Sequence, residues 1–200
     1  MFPSFVWRAD LPLAASESIR ARLDARLGAL PPLTTGQSFQ SEANLHEGGA
    51  LGELLPAIER LAQSVVGFLK LSAEPLFITG CWANVNAAGA RHPRHSHPNN
   101  YLSGAYYAKV QEGADTINFH DPRVQAAVIR PPVVELGGEN ADQAVIRVQT
   151  GSLLLFPAWL EHSVDPNQSD ELRISVSFNL MFARYAESSS APQWEPGLRG

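Results

Sequence analysis

The stretch from residue 76 to residue 183 most constrains the fold. Short runs rich in β-branched and aromatic residues alternate there with turns that contain glycine. Many short strands separated by such turns are typical of a jelly roll or a related double-stranded β-helix. We predict strands at 76–87, 101–110, 115–120, 132–136, 144–149, 152–157, 162–165 and 172–182.

Two helices are predicted before these strands. Ile19, Leu23 and Leu27 recur at every fourth position within 16–29, which places them on one apolar face. A similar stripe of leucine, isoleucine and valine runs through 51–71. The predicted fold is therefore mostly β with N-terminal helices: a double-stranded β-helix (jelly roll, cupin-like) with two helices packed on one sheet.

The remaining segments complete a single-domain interpretation. Residues 4–13 read as a first strand, and the polar residues 33–50 read as a loop that covers part of the molecule. We predict one domain over 1–187, in which 1–75 form a helical N-terminal support and 76–183 form the jelly-roll core. The segment 188–200 is rich in serine, proline and glycine and is predicted to be a loose tail.

Composition excludes several classes of protein. A net charge of −5 argues against a surface that binds nucleic acid or anionic membranes. The single cysteine, Cys81, allows neither an intrachain disulfide nor a thiolate zinc cluster, which fits a reducing cytoplasm. No stretch approaches the roughly 18–20 apolar residues that span a bilayer, and the first residues do not read as a secretory signal. We therefore expect a cytoplasmic protein.

The segment Arg91–His97 holds three of the six histidines. His95 and His97 are two positions apart, so on an extended segment both imidazoles lie on the same side and could chelate one ion. His162, which follows an apolar run and Pro157, is the best candidate for a third ligand. Three imidazoles that leave open positions suit a catalytic metal. The cluster alone reads equally well as a solvated loop.

The last predicted strand has two distinct faces. From Arg173 to Leu180, polar residues occupy the odd positions and apolar residues the even ones. The polar face either meets water or lines a barrel interior. In the interior, the guanidinium of Arg173 would suit a bound carboxylate, which it can contact with two parallel hydrogen bonds.

In their order and spacing these motifs resemble the Fe(II)- and 2-oxoglutarate-dependent dioxygenases. The resemblance is to the prolyl-hydroxylase-like branch and, within it, to a bacterial family of 2OG-Fe(II) oxygenases. It covers about residues 80–182: Gly89 stands six positions before His95, a tyrosine-rich strand follows, Gly151–Pro157 precedes His162, and Arg173-Ile174-Ser175 opens the last strand.

The resemblance implies a set of site residues. His95, His97 and His162 would bind Fe(II), although His97 stands where the family usually has an aspartate. Asp121 is the alternative protein ligand, since a carboxylate is expected in the site, and a water in the third position is the other alternative. The co-substrate 2-oxoglutarate would bind Arg173, helped by Ser175 and Tyr101.

The implied reaction uses O₂ to hydroxylate a substrate while 2-oxoglutarate is converted to succinate and CO₂. Nothing in the sequence identifies the substrate, which can be a small molecule or a protein side chain. The oligomeric state also stays open, with a homodimer as one option. Trp82, Trp159 and Tyr107 are interpreted as core residues, and His92 and His120 as non-ligands.

Two other functions fit the same residues. One is a cupin-like module that binds a metal and a ligand without oxidising anything, because this architecture carries many unrelated functions. The other is a three-His iron oxygenase that does not use 2-oxoglutarate, in which Arg173 would hold a carboxylate of the substrate. Arg173 distinguishes the simple binder from the dioxygenase, which needs this residue inside the barrel.

Overall fold

Ten β-strands and two α-helices form the part of the chain that the computed structural model describes, residues 3–30, 32–71, 74–123, 125 and 128–185. In chain order they are β1 (Trp7–Asp10), α1 (Leu13–Leu27), β2 (Ser38–Gln40), α2 (Leu54–Phe68), β3 (Leu76–Asn86), β4 (His92–His95), β5 (Leu102–Lys109), β6 (Thr116–His120), β7 (Gln143–Arg147), β8 (Ser152–Pro157), β9 (His162–Val164) and β10 (Arg173–Phe182).

The strands form two antiparallel sheets. The major sheet has the order β1-β8-β5-β10-β3-β2, and the minor sheet has the order β4-β9-β6-β7. From β3 onward the chain passes repeatedly between the two sheets, which is the winding of a double-stranded β-helix. The fold class predicted from the sequence is confirmed.

Both helices pack against the outer face of the major sheet. Helix α1 contacts β5, and helix α2 contacts β1 and β8. Buried residues of the helices, such as Ile19 and Ile58, share one apolar cluster with Ile174 and Val176 of β10. Since the apolar face of β10 points to the helices, its polar face points to the space between the sheets. The structure thus selects the barrel interior over solvent for this face.

The strand predicted at 132–136 is wrong. These residues lie in the long connection 121–142 between β6 and β7, where the backbone N–H of Asp121 bonds to the carbonyl of Asp142 at 2.8 Å. Val134 is fully exposed, so no apolar side chain there is buried by a neighbouring strand. Pro132 lacks the N–H that a central strand would need.

Two short strands lie where no strand was predicted. Strand β2 lies within the predicted loop 33–50 and pairs with the end of β3, and β4 lies in the histidine-rich segment and pairs with β9. Their sequences are polar, and pairing with distant partners determines their extended conformation. The predicted tail, 188–200, lies outside the described residues. Neither helix of the described chain combines the length and the apolar character of a membrane span.

Candidate functional site

Antiparallel pairing in the minor sheet brings the three candidate histidines together. His95 ends β4 and stands opposite His162, the first residue of β9. His97 lies two residues beyond β4, where its backbone N–H donates to the carbonyl of Ala158 at 2.8 Å. This bond fixes the chain after β4 against the connection between β8 and β9. Two segments about 65 positions apart therefore present their imidazoles to one point.

The three imidazoles have the spacing of ligands to a single ion. One nitrogen of each ring lies within 4.8 Å of the others, and Nε2 of His97 is 3.3 Å from Nε2 of His162. Two nitrogens that bind one ion at about 2.1 Å and at right angles are about 3 Å apart. The donor set and its geometry therefore fit a divalent transition metal with open positions.

Backbone carbonyls orient two of these rings. Nδ1 of His95 lies 2.7 Å from the carbonyl oxygen of Pro93, and Nδ1 of His162 lies 3.0 Å from that of Leu160. Each Nδ1–H donates to its carbonyl, so each Nε2 keeps a lone pair directed away from the backbone. Such outer hydrogen bonds are the usual way in which proteins fix the tautomer of a metal-binding histidine.

Burial keeps two of the candidate ligands, His97 and His162, unprotonated at neutral pH. It is the main factor that lowers the pKa of His97 to about 4, and nearby His95 lowers it further. Burial likewise lowers the pKa of His162 to about 4, although the hydrogen bond to Leu160 opposes the shift. Neutral imidazoles have a free lone pair for a metal, and they do not have to release a proton first.

The triad opens into a cavity of about 250 Å³ between the two sheets. Residues of the major sheet form its opposite wall, and Gly104 belongs to this wall. A Cβ atom at Gly104 would lie 2.2 Å from Cζ of Phe178, so only glycine fits. The other lining residues are Gln40, Trp82, Asn84, His92, His95, His97, Ala105, Tyr107, Ile117, Phe156, His162, Val164, Arg173, Ser175, Ser177 and Phe178.

Arg173 places a buried positive charge in this cavity. Arg173 is only 3% exposed. Among the described residues, no carboxylate forms an ion pair with it. Its Nε atom is buried without a hydrogen-bond partner. A buried charge of this kind is costly unless something compensates it. The cavity is therefore suited to an anionic ligand.

Tyr107 adds a hydrogen-bond donor beside Arg173. The guanidinium carbon of Arg173 lies 5.6 Å from the centre of the Tyr107 ring. Burial raises the pKa of Tyr107 to about 12, so the phenol keeps its proton, and its hydroxyl has no partner in the described chain. Ser175, 4% exposed, stands opposite Tyr107 in the pairing of β10 with β5. The three side chains line the same cavity and together offer several hydrogen-bond donors.

Tyr101, predicted to bind the co-substrate, lies elsewhere. Its ring packs on Phe182 with 4.9 Å between ring centres, and Tyr101 does not line the cavity. Tyr107, and not Tyr101, lines the cavity beside Arg173. Alternation in β5 separates Tyr107, which shares the strand face of Ser103 and Ala105, from Tyr106 of the helix-covered core, but it does not separate Tyr107 from Tyr101.

Asp121, the alternative ligand, is engaged by another residue. Its carboxylate forms an ion pair with Arg123 at 2.7 Å, which lowers the pKa of Asp121. It belongs neither to the histidine triad nor to the lining of the cavity. This geometry supports His97 over Asp121 as the third candidate ligand.

The other singled-out residues fall in three environments. His92 lines the cavity, and its Nε2 lies 3.0 Å from Nδ2 of Asn86. His120 is directed to the other face of the minor sheet, where its Nε2 lies 2.9 Å from Oγ of Ser163. The interpretation as a core residue is confirmed for Tyr107, which also lines the cavity, whereas Trp82 is half-buried and lines the cavity. The same interpretation is wrong for Trp159, which is 55% exposed.

Solved structures with this fold include oxygenases and related enzymes. The non-heme alpha ketoglutarate dependent epimerase SnoN, from nogalamycin biosynthesis, is 14% identical with a TM-score of 0.66, over 98% of this chain and 89% of that chain. HygX from Streptomyces hygroscopicus, with nickel and 2-oxoglutarate bound, is 13% identical with a TM-score of 0.64, over 90% and 83%. A prolyl-4-hydroxylase from Pseudomonas putida is 15% identical with a TM-score of 0.60, over 90% and 93%.

At these identities the structural likeness shows the fold alone, and no curated protein matches the sequence. A family model gives the stronger result. The model described as "Putative 2OG-Fe(II) oxygenase" matches residues 80–179, which is half of the chain and includes the triad, Tyr107 and Arg173. The chain therefore belongs to this family of 2OG-Fe(II) oxygenases.

Proposed function

We propose that the protein is an Fe(II)- and 2-oxoglutarate-dependent dioxygenase that hydroxylates a substrate and releases succinate and CO₂. The observation that carries this proposal is the buried, unpaired Arg173, which shares one cavity with three converging histidines. An ion site and an anion site in the same cavity suit a ligand that has a metal-chelating end and a carboxylate end.

The side chains divide the work between the two ends of the cavity. His95, His97 and His162 would hold Fe(II), which when bound supplies the activation of O₂ and the oxidative decarboxylation of 2-oxoglutarate. The far carboxylate of 2-oxoglutarate would accept hydrogen bonds from Arg173 and from the Tyr107 hydroxyl. Apolar lining residues such as Ile117 and Phe156 would limit the access of water to the reacting groups.

An all-histidine triad changes the charge balance of such a site. Three neutral imidazoles leave the full charge of a divalent ion uncompensated, whereas a carboxylate ligand would remove part of it. The carboxylate at the chelating end of 2-oxoglutarate would offset part of this charge, and Arg173 would pair with its second carboxylate. We therefore expect 2-oxoglutarate to bind much more tightly to the metal-loaded protein than to the metal-free protein.

A three-His oxygenase that does not use 2-oxoglutarate is the second candidate function. The absence of a carboxylate from the triad favours it. In that case Arg173 would hold a carboxylate of the substrate itself. The two functions differ in one measurable respect, because only the first requires 2-oxoglutarate to bind beside the metal.

Anaerobic calorimetry with Mn(II) in place of Fe(II) tests the proposal. We expect 2-oxoglutarate to bind the wild type, and Arg173→Ala to weaken that binding by roughly 100-fold, the usual scale for removing one partner of a buried charge pair. Arg147→Ala is the matched control, because Arg147 is an exposed arginine paired with Asp115. Under air, the Fe(II)-loaded wild type should produce succinate slowly without added substrate.

Each contrary result has a distinct meaning. If the Mn(II)-loaded wild type does not bind 2-oxoglutarate, the main proposal fails and the second candidate remains. If Arg173→Ala and Arg147→Ala bind 2-oxoglutarate equally well, Arg173 does not hold the far carboxylate of the co-substrate. If 2-oxoglutarate binds but no succinate forms with Fe(II) and O₂, the protein is a binding module that does not oxidise.

A further inference from the structure

The wall of the cavity beside the triad is polar but carries no charge. Gln40, Trp82, Asn84 and Ser177 form this polar wall, and all four line the cavity. The strand register makes them neighbours: Asn84 stands opposite Gln40 of β2, and Trp82 stands opposite Ser177 of β10. The wall therefore extends across three adjacent strands of the major sheet.

The polar wall leads from the interior to the surface. Asn84 is only 6% exposed, Trp82 and Ser177 are half-buried, and Gln40 is exposed at the edge strand β2. The ring centre of Trp82 lies 6.2 Å from that of His97. The wall therefore flanks the metal end of the cavity, and a molecule that approaches the triad from this edge has to pass along it.

The polar wall has unused hydrogen-bonding capacity. Asn84 donates from Nδ2 to Oγ of Ser177 at 3.0 Å, which leaves the Ser177 hydroxyl free to donate its own proton. Asn84 keeps a second N–H and its carbonyl oxygen. The side-chain amide of Gln40 forms no hydrogen bond to the described residues. The wall therefore offers both donors and acceptors to a ligand.

The charges of the cavity narrow the class of substrate. Among the described lining residues, Arg173 is the only arginine, lysine, aspartate or glutamate, and it lies in the pocket assigned to the co-substrate. An ammonium group on the substrate would lose its hydration beside the polar wall without gaining a counter-charge, and a carboxylate would find one only at the ion itself. An uncharged group would exchange its hydrogen bonds with water for bonds to amides and a hydroxyl.

We propose that the polar wall binds an uncharged ring that carries several hydroxyl groups, such as a hexose or a cyclitol. This inference rests on the proposed function, which assigns Arg173 to the co-substrate. The C–H face of such a ring would pack on the indole of Trp82, and its hydroxyls would bond to Gln40, Asn84 and Ser177. A peptide unit offers one donor and one acceptor, so it would use less of the wall.

Saturation-transfer NMR on the protein loaded with Zn(II) and 2-oxoglutarate tests the proposal. The neutral probes are methyl α-D-glucopyranoside and myo-inositol, the charged probes are D-glucuronate and D-glucosamine, and N-acetyl-L-prolinamide represents a peptide. We expect the two neutral rings to bind more tightly than the other three probes. Equal or tighter binding of a charged ring or of the amide, or no binding of either neutral ring, would overturn it.

A matched pair of tryptophan variants locates the binding. Trp82→Leu should weaken the binding of the neutral probes by about ten-fold, the scale of an aromatic packing contact. Trp159→Leu should change nothing, because Trp159 is exposed and does not line the cavity. Equal effects of the two variants would show that the ring does not bind at the polar wall.

Calorimetry on the same samples separates this inference from the proposed function. Trp159→Leu should bind 2-oxoglutarate as the wild type does, because Trp159 is exposed and does not line the cavity. The probes are measured on the metal-free protein as well, so the polar wall is tested even if the co-substrate does not bind. If 2-oxoglutarate does not bind, the proposed function is contradicted. If the ring probes do not bind, the inference about the polar wall is contradicted.

Discussion

The two sheets differ in how firmly they hold their functional residues. In the major sheet, β3 and β10 pair from Leu76 to Asn86, with one bulge, and both helices cover the outer face. In the minor sheet, β9 has three residues and β4 has four, with an irregular register between His92 and His95. The major sheet carries Arg173, and the minor sheet carries two of the three candidate metal ligands.

This difference suggests that a bound metal would stabilise the minor sheet. His95 and His162 are held by a short ladder and by hydrogen bonds to two backbone carbonyls. An ion shared with His97 would connect β4, β9 and the segment after β4, and a ligand that binds only the folded state stabilises it. The Arg173 pocket needs no such help, because it lies on the buried centre of the major sheet.

Removing one candidate ligand should have the largest effect on this comparison. We expect His162→Ala to weaken the binding of Co(II), followed by its visible absorption, by at least roughly 100-fold, since a ligand is removed outright. His120→Ala is the control, because His120 lies on the other face of the minor sheet beside Ser163. Similar affinities in the two variants would place the metal elsewhere.

The next effect distinguishes two tyrosines of the major sheet. Tyr107→Phe should weaken 2-oxoglutarate binding by about ten-fold, because it deletes one hydrogen bond to a charged group in a buried pocket. Tyr101→Phe should leave the affinity unchanged, since its ring packs on Phe182. Calorimetry with Mn(II) measures both variants. A larger loss in Tyr101→Phe would restore the assignment made from the sequence.

Hydrogen exchange should show the unequal response of the two sheets. We expect Zn(II) to slow amide exchange in β4 and β9 by a larger factor than in β3 and β10, because the short strands open more easily without a ligand. Mass spectrometry of peptides from these strands measures the effect. The His162→Ala variant should show no such protection. Uniform protection of both sheets would mean that the minor sheet is already as stable as the major one.

The smallest expected effect is on the pH dependence of the free energy of unfolding. The pKa of His97 is lowered to about 4 from an ordinary value of 6.5, so the unfolded chain binds a proton between these values that the folded chain does not. The urea midpoint of the metal-free protein should therefore fall as the pH is lowered from about 6.5 to 4. His97→Gln should fall less steeply. An identical slope would show that His97 already protonates freely in the fold.

Much of the architecture follows from local patterns in the sequence. Apolar residues at every fourth position predicted both helices, although α1 begins at Leu13 and not at residue 16. The strict alternation from Arg173 to Leu180 predicted a two-faced strand, and it is found as β10. These signals are reliable because each depends only on the period of the backbone conformation. The prediction at 132–136 failed because a β-type composition forms no strand without a partner.

The histidines show what the sequence determined and what only the tertiary structure decided. The sequence paired His95 and His97 on one extended segment, placed His162 at the start of a strand, and put Arg173 on a polar strand face. Only tertiary pairing decided that His95 stands opposite His162, that Tyr107 and not Tyr101 enters the cavity, and that Trp82 lies beside His97. These contacts join residues far apart in the chain, and burial in the whole fold selects them.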